Sequence, residues 1–161
     1  MIENTPEAKP VSASRVTLAQ LMQPEHANLL GNVHGGWIMK LVDEAGAVAC
    51  MRHAQRRVVT VAVDQMTFHQ PIRIGEIVSL TAEVSYVGRT SMEAEVHVSA
   101  ENPITGACTY TNTAYLVYVA LGDDGSPVVV PALIPETEAQ ANRMKAGKAR
   151  QIYRLSQNRQ K

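Results

Sequence analysis

Asp43 lies in the run Lys40-Leu41-Val42-Asp43-Glu44-Ala45-Gly46, one helical turn after Met39 and inside an otherwise apolar segment. A carboxylate on a segment destined for a protein interior needs a partner or a task, because burying an unpaired charge is costly. Two readings of these residues stand. In one, Asp43 and Glu44 share a wet stripe and Glu44 pairs with Lys40 four residues earlier. In the other, Asp43 is a general base or a nucleophile in a partly desolvated cleft. Just upstream, Asn28-Leu29-Leu30-Gly31-Asn32-Val33-His34-Gly35-Gly36 brings two adjacent glycines to the start of the same segment. Paired glycines let a ligand approach the backbone, and free N–H groups at a helix start can hold an oxygen as it becomes negative. The plainer reading is a tight entry turn, with His34 as a structural histidine.

The elements that must carry these residues follow from periodicity. From Gly36 to about His53, apolar positions recur at three- and four-residue spacing, which predicts a helix of about five turns. So apolar a helix belongs in the middle of a protein, wrapped by other elements. Downstream, Arg57 to Phe68, Glu76 to Tyr86, Thr90 to Ala100 and Ala107 to Leu121 alternate with period two. They read as strands with one buried and one wet face. Pro71 to Gly75, Gly88-Arg89 and Asn102-Pro103-Ile104-Thr105-Gly106 are joins suited to antiparallel neighbours. Arg15 to Met22 reads as a further short strand, and Gln23 to Gly36 as a long loop of the kind that often carries function. Residues 1–14 read as a loose, flexible arm, 15–135 as the globular domain, and 136–161 as a basic extension whose helix runs from Glu136 to about Gln157 with Gly147, a poor helix former, inside it. The order predicts an α+β architecture: about five antiparallel strands curled around one central helix, plus the C-terminal helix.

Composition narrows the function classes. The 161 residues carry 15 Lys plus Arg and 15 Asp plus Glu, for zero formal net charge, and have few aromatic side chains (one Trp, one Phe, five Tyr). Both facts disfavour nonspecific nucleic-acid binding. The zero conceals an asymmetry: residues 136–161 hold seven basic and two acidic side chains, a net +5 that leaves −5 on residues 1–135. Cys50 and Cys108 lie far apart in apolar stretches with no secretory segment before them, so a reduced cytoplasmic setting is expected. No apolar run reaches the ~20 residues of a membrane-spanning helix. The five histidines show no paired metal-ligand spacing, so no metal is expected. Gly-x-Ser-x-Gly, Walker and dinucleotide fingerprints are absent too.

The ordered set Met22-Gln23-Pro24-Glu25-His26-Ala27-Asn28-Leu29-Leu30-Gly31-Asn32-Val33-His34-Gly35-Gly36, then Lys40 to Gly46, resembles the acyl-CoA thioesterases of the hotdog fold, the group of the bacterial YciA-type enzymes and the brain acyl-CoA hydrolase. Val59-Thr60-Val61-Ala62-Val63-Asp64, Phe68 before Pro71-Ile72, Gly75-Glu76, Val87 to Glu93 and Glu101 to Gly106 extend the match. The resemblance spans about residues 15–135 and implies a helix wrapped by an antiparallel sheet, as the periodicities do.

The resemblance also implies a chemistry, the hydrolysis of a fatty acyl-CoA thioester to fatty acid and CoA. Matched by motif position, the acid is Asp43 and the amide is Asn28, facing each other across a subunit interface. Backbone N–H groups of Gly36 and Gly35 would stabilise the oxyanion, and Asp43 would either activate water or attack directly. Val59 and Thr60 would run beside the pantetheine arm. Gly88, Arg89, Thr90 and Ser91 would approach the CoA phosphates, with Lys148 or Arg150 added from the basic tail. Trp37, Met39 and Met51 are candidates to line the acyl pocket. No cofactor beyond the CoA of the substrate is implied, and self-association through hotdog dimers, as a trimer of dimers, is. The alternative from another class is a hotdog protein that senses acyl-CoA or a nucleotide without turning it over. Such regulators usually carry a helix-turn-helix, for which the N-terminal arm is too short. Hydratase chemistry, which needs a His beside the Asp, ranks last.

Overall fold

The structure, a computed structural model, describes residues 6–158. Five strands form one antiparallel sheet in the order β2-β4-β5-β6-β3: β2 (Val16–Leu21), β3 (Arg57–Met66), β4 (Ile77–Val87), β5 (Ser91–Glu101) and β6 (Cys108–Leu121). The 20-residue helix α1 (Gly35–Ala54) packs against all five. The expected elements therefore stand within two residues of their predicted ends, and the connectivity is that of the hotdog fold.

The core lies between α1 and the inward residues of the strands. Ile38, Leu41, Val42, Ala45, Ala49 and Cys50 of the helix meet Val78, Leu80, Ala82 and Val84 of β4, Met92, Ala94, Val96 and Val98 of β5, and Ala114, Leu116, Tyr118 and Ala120 of β6. Period two on the strands and the three-to-four spacing of the helix each place their apolar residues on one side, and the two sides close on each other. The helix is not enclosed all round, contrary to expectation: Met39, Lys40, Glu44, Met51 and Arg52 are exposed. Within one chain the sheet covers one face only.

The outer face of the sheet differs from expectation as well. Glu83, Ser85, Glu93 and Glu95 alternate with core residues and read as wet, yet Glu93 and Glu95 are 2% and 4% exposed. The helix α2 (Glu138–Asn158) covers them. Glu83 receives Arg143 at 2.6 Å and Arg15 at 2.8 Å, and Arg150 pairs with Glu93. Gly147 lies inside this helix, as expected. A Cβ there would lie 2.6 Å from Cβ of Tyr86 and 2.9 Å from Oε1 of Glu93, so the missing side chain is what lets α2 approach the sheet closely.

Residues 1–14 are also corrected in part. Positions 1–5 lie outside the described residues, but β1 (Lys9–Pro10) pairs in parallel with β7 (Leu133–Ile134). Val11 and Ser14 of the following turn are buried, and the Ser14 hydroxyl accepts the N–H of Val84. The Lys9 ammonium donates to the carbonyl of His53 at 2.8 Å, and the buried His53 ring donates through Nε2 to the Pro131 carbonyl. Burial holds this imidazole below its usual pKa. Residues 9–14 thus belong to the globular body, fastened by backbone pairing and a buried valine that no short-range periodicity announces.

Candidate active site

Asp43 is half-buried on α1 and turned towards the sheet. Its Oδ1 accepts two hydroxyl protons, from Thr60 Oγ1 at 2.7 Å and from Tyr118 Oη at 3.0 Å. Thr60 on β3 and Tyr118 on β6 are direct cross-strand partners, so the sheet register delivers both hydroxyls to one oxygen. The β3 register shifts between Thr60 and Ala62, a local irregularity of the type that re-aims side chains beside functional sites. Among the described residues no cation lies within 4 Å of the Asp43 carboxylate and Oδ2 has no hydrogen-bond partner. The wet-stripe reading survives for Glu44 alone, which pairs with Lys40 at 2.5 Å.

The loop ahead of α1 is ordered by its own side chains. Asn28 Oδ1 accepts the N–H groups of Leu30 at 2.9 Å and Asn32 at 3.2 Å, which fixes the turn and leaves the Asn28 amide N–H2 without a partner among the described residues. No hydrogen bond joins Asn28 to Asp43 within one chain. Asn28, Leu29, Leu30 and His34 line a shallow open groove, and an adjoining one is lined by His26, His34, Gly36 and Trp37. His34 is the N-cap of α1: its Nδ1 accepts the Gly36 N–H at 2.9 Å. That contact distinguishes the two expected oxyanion donors. The Gly36 N–H is taken by a neighbouring ring, whereas the Gly35 N–H, at the positive end of the helix, has no partner among the described residues. Trp37 stacks on His26 with ring centroids 4.2 Å apart, a packing role, while Met39 and Met51 are exposed.

The remaining expected contacts divide. Val59 is 43% exposed on β3, an edge strand of the sheet. Thr60 has a sharper role than lying beside a ligand, since its side chain holds Asp43. Gly88, Arg89, Thr90 and Ser91 form the β4–β5 turn, closed by Gly88 N–H donating to the Ser91 carbonyl at 2.8 Å. Arg89 is exposed there, and Ser91 Oγ accepts from Gln151 of α2 at 3.3 Å. Arg150 is not available as a phosphate ligand. Its guanidinium donates to both carboxylate oxygens of buried Glu93 at 2.8 Å and lies 3.8 Å from the Tyr115 ring centroid. A carboxylate buried this deeply needs a cation, and Arg150 supplies it. Lys148 is exposed. Tyr118 is the side chain at this site that the sequence did not disclose, since its alternation on β6 reads as core alone.

Residues 30–107 match the model of the Thioesterase superfamily. The chain is 36% identical over 149 residues to the cytosolic acyl coenzyme A thioester hydrolase of Rattus norvegicus, aligning over 91% of its own length but 39% of that protein's. It is 34% identical over 134 residues to the acyl-CoA thioester hydrolase YciA of Salmonella typhimurium, covering 81% of this chain and 96% of that one. A hexameric acyl-CoA thioesterase superposes with a TM-score of 0.90 at 33% identity, over 95% of this chain and 98% of that one. The acyl-CoA hydrolase of Staphylococcus aureus, solved with butyryl coenzyme A and coenzyme A, gives a TM-score of 0.87 at 30% identity over 95% and 93%. The chain spans less than half the length of the Rattus norvegicus relative, but its identity to the Salmonella typhimurium protein over nearly all of that chain, together with the matching topology, places it in the hotdog-fold acyl-CoA thioester hydrolase family.

Proposed function

We propose that the chain hydrolyses acyl-CoA thioesters. One observation carries the reading: a half-buried carboxylate on the central helix, held by two hydroxyls through one oxygen, with no neutralising cation among the described residues. Asp43 takes a proton from a water molecule, whose oxygen attacks the thioester carbonyl carbon. The negative charge that develops on the carbonyl oxygen is met by the Gly35 N–H at the start of α1. The tetrahedral intermediate collapses with cleavage of the C–S bond. The CoA sulfur leaves with the proton held by Asp43, giving free thiol and a carboxylic acid. Asn28 orients the water through its unpartnered amide and acts from one subunit of a hotdog dimer on the site of the other. That fits the absence of an Asn28–Asp43 hydrogen bond within one chain.

CoA phosphates are met at the β4–β5 turn by the exposed Arg89, with Thr90 and Ser91 as hydroxyl donors and Lys148 as the remaining basic candidate from α2. Relatives of this fold are described as hexameric, and a trimer of dimers is the assembly proposed here. No described helix is long and apolar enough to cross a membrane; both cysteines are free thiols and a relative is named a cytosolic acyl coenzyme A thioester hydrolase, which supports a reducing, cytoplasmic setting.

The test is thiol release from purified protein with acyl-CoA esters of graded chain length, the exposed Cys108 thiol setting the enzyme-only background. Turnover of at least one chain length above the uncatalysed rate is expected. Tight binding of CoA esters with no thiol release would overturn the reading in favour of a non-catalytic acyl-CoA sensor.

A further inference from the structure

Tyr118 is fully buried, and its hydroxyl donates to two acceptors of the same residue: the Asp43 backbone carbonyl at 2.9 Å and Asp43 Oδ1 at 3.0 Å. A proton shared between the carbonyl and the carboxylate of one residue ties that side chain to its own helix. The helix makes room for it. At Gly46 an added Cβ would sit 2.4 Å from the Tyr118 hydroxyl and 3.0 Å from the ring, so the tyrosine tip occupies the space any other side chain at 46 would need. A buried hydroxyl requires a polar partner, and the atoms that this notch offers it are those of Asp43.

The opposite side of the same oxygen is held by Thr60 Oγ1 at 2.7 Å. Thr60 and Tyr118 face each other on β3 and β6, so the two donors are set by one rung of the sheet rather than by a loop. Sites built on paired strands hold their geometry more tightly than sites on loops. With Oδ1 satisfied twice, the plane of the carboxylate is fixed, and Oδ2 is the oxygen left to receive a proton. Burial, reinforced by the charge of Asp43, pushes the Tyr118 hydroxyl well above its ordinary pKa, so it stays a donor throughout any working pH.

We propose that Tyr118 is a positioning residue for thioester hydrolysis: together with Thr60 it clamps Oδ1 of Asp43 so that Oδ2 alone faces the chemistry. The inference rests on the thioesterase reading given above and adds to it a residue that never touches substrate.

Tyr118→Phe keeps the ring in its notch and removes the clamp. It is expected to lower kcat about tenfold with KM within twofold of wild type, because productive orientation is lost while the binding surface is intact. Thr60→Val is expected to do the same. The double variant should lose less than the product of the two single losses, since both hydroxyls act on one oxygen. Should Tyr118→Phe melt too low to assay, Gly46→Ala displaces the hydroxyl while leaving the tyrosine in the chain, and the same kcat loss at unchanged KM is expected. Retention of kcat within twofold in Tyr118→Phe, a rise in KM at constant kcat, or strictly multiplicative losses in the double variant would each overturn the proposal. Failure of the underlying reading looks different, for then wild type itself releases no thiol above background. If wild type turns over, Asp43→Asn does not and Tyr118→Phe does at full rate, the positioning role alone is wrong.

Discussion

The two faces of the sheet treat carboxylates in opposite ways. On the outer face Glu83, Glu93 and Glu95 are buried under α2, and each meets a basic side chain: Arg15 and Arg143 at Glu83, Arg150 at Glu93, His97 and Arg143 at Glu95. On the inner face Asp43 is half-buried among apolar neighbours and meets two hydroxyls. A carboxylate with a basic side chain in contact has its oxygens engaged and serves to fasten α2 to the sheet. One held by neutral donors, with no cation within 4 Å among the described residues, has an oxygen free to accept a proton. The contrast separates the carboxylates that build the fold from the one that does chemistry, although all four lie on or beside the same five strands.

Substitutions that exchange these roles test the contrast, beginning with the largest effect. Asp43→Asn preserves shape and removes the base; kcat for acyl-CoA should fall by about a thousandfold, the order expected for loss of general-base catalysis, with little change in melting temperature. Arg150→Met strips Glu93 of its cation while keeping much of the packing over Tyr115. Stability measured by denaturant unfolding should drop by about 3 kcal/mol with KM and kcat within twofold of wild type. Adding Glu93→Met should restore much of that loss, because the uncompensated buried charge is what costs. Gly147→Ala sets a methyl against Tyr86 and Glu93. Despite the better helix propensity of alanine, it should lower stability by about 1–2 kcal/mol and leave kcat unchanged. The smallest effect is expected at Arg89→Gln, where loss of an exposed phosphate contact should raise KM about fivefold at constant kcat, most visibly at low salt.

How far the sequence disclosed this division depended on the range of the contacts involved. Periodicity located α1 and the five strands because each pattern is local to one element. Asp43 stood out because a carboxylate broke an apolar helix, and the motif resemblance singled it out from Glu44. Glu93 and Glu95 gave the opposite signal. Alternating with Met92, Ala94 and Val96, they looked like a solvated face, and the helix that buries them begins more than forty residues later. Arg150 shares that blindness. A basic residue on a polar helix has the same appearance whether it waits for a phosphate or is bound to a buried glutamate. Tyr118 was hidden for another reason: its ring obeys the core pattern of β6, and its hydroxyl acquires a meaning only through the Thr60–Tyr118 register and the notch at Gly46. The pairing of Lys9–Pro10 with Leu133–Ile134 was invisible because two-residue strands carry no period. At the helix start, the competition of His34 for the Gly36 N–H depends on a ring orientation that spacing does not encode.

Turnover and melting temperature measured side by side on Asp43→Asn and Glu93→Gln put the division of labour to its most direct test. The account predicts that Asp43→Asn melts like wild type and has lost about three orders of magnitude in acyl-CoA hydrolysis, whereas Glu93→Gln hydrolyses like wild type and melts several degrees lower. Hydrolysis retained by Asp43→Asn, or lost by a folded Glu93→Gln, would contradict it.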